Sequence, residues 1–263
     1  MFKFCSLFSG SSGNSLYVQS NKTRLLVDCG ESAKKIVTSL SDIDVNIEDI
    51  DAILITHEHI DHVKSLGTLS KKYNIPVYTN IETLNAMPEQ MNKIKTDNIH
   101  LFDFSKDFSI KDLCIHPFSI PHDAANPCAF NIMNNNKKIS IATDIGHITP
   151  EIVNNLEKSK FLLLEANYDP NILKCSSYPY HLKERISGPK GHLSNELAGK
   201  TVSHLIDSGL EKVMLGHLSK ENNFPELAYK TVMEEIISNK YSEKSIRLSV
   251  ATRFNHTPLI DVG

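Results

Sequence analysis

The chain has 263 residues, 40% hydrophobic and 22% charged, which fits one large globular domain or two small ones with ample core. Its net charge of −3 excludes a generally basic nucleic-acid binder, so any polyanion would have to bind a local patch. Five cysteines (Cys5, Cys29, Cys114, Cys128 and Cys175), odd in number and without a C-x-x-C pair, argue against a disulfide framework and against a thiolate metal knuckle.

That cysteine usage points to a reducing, cytoplasmic setting. Met1-Phe2-Lys3-Phe4 begins no long apolar segment, and no run approaches membrane-spanning length. Residues 2–7 and 15–19 alternate as strands around the small-residue loop Ser9-Gly10-Ser11-Ser12-Gly13-Asn14. That loop reads either as a cradle of backbone N–H groups for a phosphate or as a tight connection. The strand Thr23-Arg24-Leu25-Leu26-Val27 ends in Asp28-Cys29-Gly30, and a helix near Ser32–Leu40 follows. Asp28 could also cap that helix.

Ala52-Ile53-Leu54-Ile55 is short, β-branched and uncharged, and reads as a buried strand. Directly after it comes Thr56-His57-Glu58-His59-Ile60-Asp61-His62. Val63, Leu66, Leu69 and Tyr73 then recur at helical spacing, so this dense cluster lies in a strand-to-helix turn. In an extended segment His57 and His59 project to one side and can share a metal. Asp61 and His62, where the chain turns into the helix, can reach a second. Imidazole and carboxylate together suit zinc, manganese or iron.

Further along, the spacing predicts a strand at 76–79, a short helix at 82–87 and a strand at 113–118 leading to Pro121-His122-Asp123. A hairpin at 129–133 and 138–142 ends in Thr143-Asp144, and the strand Phe161-Leu162-Leu163-Leu164 ends in Glu165. Nothing in the spacing gives Glu165 a role. In the run from Tyr180 to Asn195, Lys183, Arg185 and Lys190 against Glu184 leave a local charge of +2. Ser194 or Asn195 is placed to cap a helix over 196–207, whose free N–H groups favour an anion. A solvated basic loop with an ordinary cap is the competing reading. A strand at 212–215 runs into Gly216-His217-Leu218-Ser219, a helix is expected over 225–238, and a last strand over 247–251.

The pattern H-x-H-x-D-H after a strand resembles the signature of the metallo-β-lactamase fold family. Asp28, the 57–62 cluster, His122, Asp144 and His217 follow in that family's motif order. The resemblance implies a four-layer αβ/βα sandwich, an α/β (α+β) fold, over residues 1–263 as a single hydrolase domain. It implies two divalent metal ions, zinc or manganese, one held by His57, His59 and His122 and the other by Asp61, His62 and His217, with Asp144 between them. Asp28 supports the ligands from behind, and Asp61 also counts as catalytic. Two metals about 3.5–4 Å apart can activate water and clamp a scissile phosphate or carbonyl.

Within the family, His122-Asp123-Ala124, Glu165-Ala166-Asn167, Lys183-x-Arg185-Ile186, Gly191-His192-Leu193-Ser194-Asn195 and His217-Leu218-Ser219-Lys220-Glu221-Asn222-Asn223 resemble the YycJ/WalJ-like exonuclease branch. The implied activity is DNA exonuclease action from the 5′ end in repair or replication, on single-stranded DNA or 5′ ends, with no membrane partner. His192 is expected to be catalytic, and Lys183, Arg185, Ser194, Asn195 and Ser219 to meet substrate. Tyr168 departs from the branch, where a histidine is expected before Asp169. Two other classes remain open. A glyoxalase-II-like thioester hydrolase shares the seven ligands but has no use for the basic run. A non-catalytic, metal-stabilised binding module is disfavoured by the completeness of the set.

Overall fold

The computed structural model describes residues 1–87, 93–242 and 244–262. Two seven-stranded sheets carry the fold. The first contains β1 (Lys3–Phe8), β2 (Ser15–Gln19), β3 (Arg24–Val27), β4 (Ala52–Leu54), β5 (Val77–Thr79) and β6 (Ile99–Leu101), with β14 (Ile260–Asp261) on its other edge. The second runs β13 (Arg247–Val250), β12 (Lys212–Gly216), β11 (Phe161–Glu165), β10 (Lys137–Ala142), β9 (Cys128–Asn134), β8 (Leu113–Ser119) and β7 (Phe108–Ile110).

The side-chain alternation of the strands builds three apolar layers. Phe4, Leu16, Val27 and Leu54 of the first sheet meet Phe130, Ile141, Phe161 and Leu163 of the second between the sheets, with the Phe4 and Phe161 ring centroids 4.5 Å apart. The intervening residues Tyr17, Leu26 and Ile53 pack outward against Ile36, Leu40, Val63 and Leu69 of the covering helices. Leu162, Leu164, Val213 and Leu215 do the same on the far face, against Ala198, Val202, Leu205, Val232 and Ile236. Helix, sheet, sheet, helix is the expected αβ/βα order. Because β11 is buried on both faces it reads as an unbroken apolar run.

Local chemistry accounts for most boundaries. The first helix is Ala33–Ser41, entered from Ser32, and Asp28 does not cap it. The helix expected after the histidine cluster is two pieces, Ile60–Val63 and Leu66–Tyr73, because Ser65 leaves helical geometry at φ −110, ψ 5. The short helix expected at 82–87 spans Ile81–Asn85, capped by Asn80 Oδ1; residue 88 onward to 92 lies outside the described residues. The hairpin is present, closed by Asn135 at φ 52. Helices at Pro150–Leu156, Pro170–Cys175 and Tyr180–Ser187 were not anticipated. The first two carry clear start signals, Thr149 and Asp169 as capping acceptors with Pro next. The helix Asn195–Ile206 starts from Ser194 as its cap, and Pro225–Ser238 falls where expected. No helix among the described residues is long and apolar enough to cross a membrane.

Candidate metal centre

Parallel strands bring the motif residues together at one edge. β3 and β4 run parallel, with Val27 opposite Leu54. In the other sheet β10, β11 and β12 are parallel neighbours, with Ala142 opposite Leu164 and Glu165 opposite Gly216. The residues just past these aligned ends converge. Three of them, Asp28 (φ 62), Asp144 (φ 59) and His217 (φ 54), hold the left-handed conformation that turns the chain sharply at a strand end. Asp and His are among the non-glycine residues that tolerate it, at a cost of about 1 kcal/mol or more. Gly30 meets a second steric demand, since a Cβ there would lie 1.5 Å from the carbonyl oxygen of Asp61.

His57, His59 and His122 each offer a ring nitrogen within 4.8 Å of the others, and so do Asp61 Oδ, His62 and His217 as a second group. Asp144 lies between: its Oδ2 is 3.3 Å from His62 Nε2, and its Oδ1 is 3.4 Å from His217 Nδ1 and 3.7 Å from His122 Nε2. All seven are buried except His59 and Asp61, which are half-buried. The ring orientations have identifiable causes. His62 Nδ1 donates to Asp28 Oδ2 at 2.8 Å, and Asp28 also accepts from the backbone N–H (2.9 Å) and hydroxyl (2.8 Å) of Thr56. His122 Nδ1 donates to the Gly191 carbonyl at 3.0 Å. In each case Nε2 is left as the free ligand atom.

Glu165 does the same for the other sheet. Its Oε1 accepts from His217 Nδ1 and His192 Nδ1, both at 2.8 Å, and its Oε2 accepts the backbone N–H groups of Ile145 (2.8 Å) and Leu193 (3.1 Å). The signal for it was the one already read at Asp28, an acidic residue closing an apolar strand. Asn14 also reaches the cluster, with Nδ2 3.1 Å from His62 Nε2. Its backbone N–H donates to Asp61 O, and Gly10 and Gly13 donate within the loop. The loop is therefore the tight connection of the two readings, with these N–H groups already used.

Asp144 Oδ2 and His217 Nε2 are buried and form no hydrogen bond. A buried polar atom left so costs about 1–3 kcal/mol, and a cation shared by these atoms removes that cost. The donor set is nitrogen and oxygen throughout and suits divalent metal ions. Charge follows the same division. Burial works against protonation of His62, but Asp144, Asp28 and Asp61 prevail and lift its pKa to about 9. His217 is raised in the same way by Asp144, Asp61 and Glu165 against its burial. His57 and His122 are pushed down, chiefly by burial. Filling the Asp61–His62–His217 side at pH 7 should therefore expel about two protons, while His57 and His122, held neutral by burial, should release few. Calorimetric titration of chelator-stripped protein in buffers of different ionisation enthalpy measures this. A heat of binding independent of buffer would show that His62 and His217 hold no protons to lose.

The beta-lactamase superfamily domain matches residues 23–218, which span every motif residue from Asp28 to His217. Exodeoxyribonuclease WalJ of Streptococcus pneumoniae is 40% identical over 237 residues, covering 89% of this chain and 88% of its own. The chain belongs to the WalJ/YycJ family of this superfamily. Exodeoxyribonuclease YycJ of Bacillus anthracis is 37% identical over 231 residues and 88% of each chain. Among solved structures, the metallo-beta-lactamase fold protein YhfI of Bacillus subtilis superposes with a TM-score of 0.69 at 17% identity, covering 98% of this chain and 99% of that one. Zn(2+)-bound PqqB of Methylobacterium extorquens gives 0.72 at 14%, covering 97% and 99%. Both show the fold.

In this WalJ/YycJ-family chain the remaining residues singled out from the sequence separate into two groups. His192 lies at the centre, its ring 5.2 Å from that of His122 and 5.3 Å from that of His217, and its side chain is 19% exposed. Arg185 lies at the rim, its Nε donating to Asp123 Oδ2 at 2.5 Å, and Asp123 Oδ1 is 3.3 Å from His122 Nε2. The others already have internal partners. Lys183 sits on the unanticipated helix Tyr180–Ser187, and its ammonium donates to the carbonyls of Lys174 and Ser176. Ser194 Oγ accepts from Leu197 N. Asn195 exchanges side-chain hydrogen bonds with Asn223, and its N–H donates to Tyr168 O. Ser219 Oγ accepts from Asn222 N. Tyr168 is buried and pairs with Ser194 as an isolated bridge.

Proposed function

We propose that this chain is a metal-dependent exodeoxyribonuclease that removes nucleotides from the 5′ ends of DNA, with single-stranded DNA as the preferred substrate. The observation that carries the reading is the convergence of seven nitrogen and oxygen ligands in a chain related over 88–89% of its length to exodeoxyribonucleases. Two metals, zinc or manganese, held by His57, His59 and His122 and by Asp61, His62 and His217 with Asp144 between, would polarise the scissile phosphodiester and supply activated water. The chain's own residues orient the reaction. Asp28 and Glu165 keep the imidazole rings in the ligand tautomer, Arg185 stands at the rim as a counter-charge to a phosphate, and His192 hands a proton to the leaving oxygen.

Turnover of end-labelled single-stranded DNA, compared with a chromogenic thioester and with metal-stripped protein, tests the reaction class. Thioester turnover without DNA cutting would overturn the nuclease reading in favour of a glyoxalase-II-like one. His192→Ala should lower DNA turnover by about 10²-fold or more with both metals still bound. One oligonucleotide offered with a 5′ phosphate, with a 5′ hydroxyl or closed into a circle then separates end recognition from chemistry. Cutting the circle as fast as the linear forms would show endonuclease action and remove the end-recognition role, and an equal loss on both linear forms would place His192 at the scissile bond.

A further inference from the structure

A cleft of about 250 Å³ opens beside the metal centre, lined by Ser9, Ser219, Lys220, Phe224 and Arg253 among others. It adjoins the main chain of one member of the cluster, His217. Ser9 Oγ accepts the backbone N–H of His217 at 2.8 Å, and Leu218 and Ser219 follow His217 in the chain. Arg253 is set in its wall: Nη2 donates to the carbonyl of Leu218, and Nη1 lies 3.5 Å from Ser11 Oγ. Gly10 makes room for it, at φ +152 and with a would-be Cβ 2.7 Å from Arg253 Nη1. Lys220 is 71% exposed, and its 3.8 Å contact with Glu221 is a surface pair. Such pairs contribute little, so its ammonium is available to another anion. Phe224 is 49% exposed, and it opens the helix Pro225–Ser238, whose first turn has no side-chain cap.

Phe254, next to Arg253, is 66% exposed and borders a second cavity of about 520 Å³ that also contains Lys34, Lys35 and His256. Cations alternating with exposed aromatic rings are what a single nucleic-acid strand requires, phosphates on the cations and bases stacked on the rings.

We propose that the cleft of Lys220, Phe224 and Arg253 holds the nucleotide adjoining the scissile bond, and that the strand continues over Phe254 toward Lys34 and Lys35. The inference rests on the nuclease reading of the metal centre, and its test separates the two. Binding is measured by fluorescence anisotropy with a 3′-labelled, phosphorothioate-linked oligothymidylate, which reports affinity independently of cutting. Phe224→Ala and Phe254→Ala should each weaken binding by about fivefold or more. Lys220→Ala should weaken it and flatten the slope of log K against log salt by about 0.7. The melting temperature and the hydrolysis of bis(4-nitrophenyl) phosphate should stay at wild-type levels in all three variants. Wild-type binding and salt slope in all three would overturn the cleft, whatever happens to cutting. Loss of the small-diester activity alongside binding would overturn it as well, because the residues would then be acting through the metal centre. If wild-type protein binds the strand but cuts no DNA, and the variants lose binding, the cleft stands and the nuclease reading falls. Wild-type protein that neither binds nor cuts DNA removes both.

Discussion

Asp61→Ala is expected to abolish DNA hydrolysis while leaving the chain folded. Asp61 stands within ligand distance of His62 and His217, its Oδ2 3.6 and 3.7 Å from their Nε2 atoms. Burial would raise its pKa, but His62 and His217 hold it well below the usual carboxylate range, so it is a full anion at any working pH. Its removal takes the acidic group that this half does not share with the other and leaves His62 and His217 with Asp144 as their remaining common counter-charge. Loss of a group that only supports a ligand already costs about 10–100-fold in metal affinity or activity, so loss of the ligand itself should exceed about 10²-fold. The fold has other supports. The three apolar layers are built without Asp61, and its backbone carbonyl, which accepts from Asn14 N at 2.8 Å, survives the substitution. Turnover, bound metal and circular dichroism should be measured on the same preparation. Near-normal turnover with one metal lost would defeat the two-metal assignment.

Glu165→Gln should produce the second largest effect, from a residue that need touch neither metal nor substrate. Glu165 is fully buried and accepts four hydrogen bonds, two from imidazole rings and two from backbone N–H groups. Burial alone would raise its pKa, but His192 and His217 keep it well below the ordinary value, so it serves as a carboxylate. The amide matches it in shape and replaces one acceptor oxygen with a donor. Either the two backbone N–H groups or the two rings then face an N–H. Each buried group left unpaired costs about 1–3 kcal/mol, and a misoriented His217 ring should weaken metal binding by about 10–100-fold. Chelator competition and thermal unfolding measure the two consequences separately. A lowered melting temperature with unaltered metal affinity would reduce Glu165 to a packing role, and Asp28→Asn offers the matching comparison at the other sheet.

What the sequence by itself determined was local in origin. The apolar runs of β3, β4, β11 and β12 announce strands because burial on both faces leaves little place for polar residues. The dense His57–His62 turn announces metal chemistry because its ligands are close in the chain. Asp28, Asp144 and His217 were legible as single polar residues closing such runs, in an order matching a known family. Tertiary structure alone decided the roles of residues whose partners lie far away. Glu165 acquired its role because β11 lies between β10 and β12 with all three parallel, which sets it against His192 and His217, 27 and 52 positions further on. Lys183 reads from the sequence as a free cation, whereas the helix Tyr180–Ser187 directs its ammonium onto two carbonyls. Asn195 reads from the sequence as a substrate contact, and the fold pairs its side chain with Asn223. Arg253 belongs to no motif, yet the fold returns it to the loop after His217. The reason is the same in each case. A side chain's chemistry is written in its residue type, but whether that chemistry is spent inside the protein or left for a ligand depends on neighbours that only the packing of the sheets supplies.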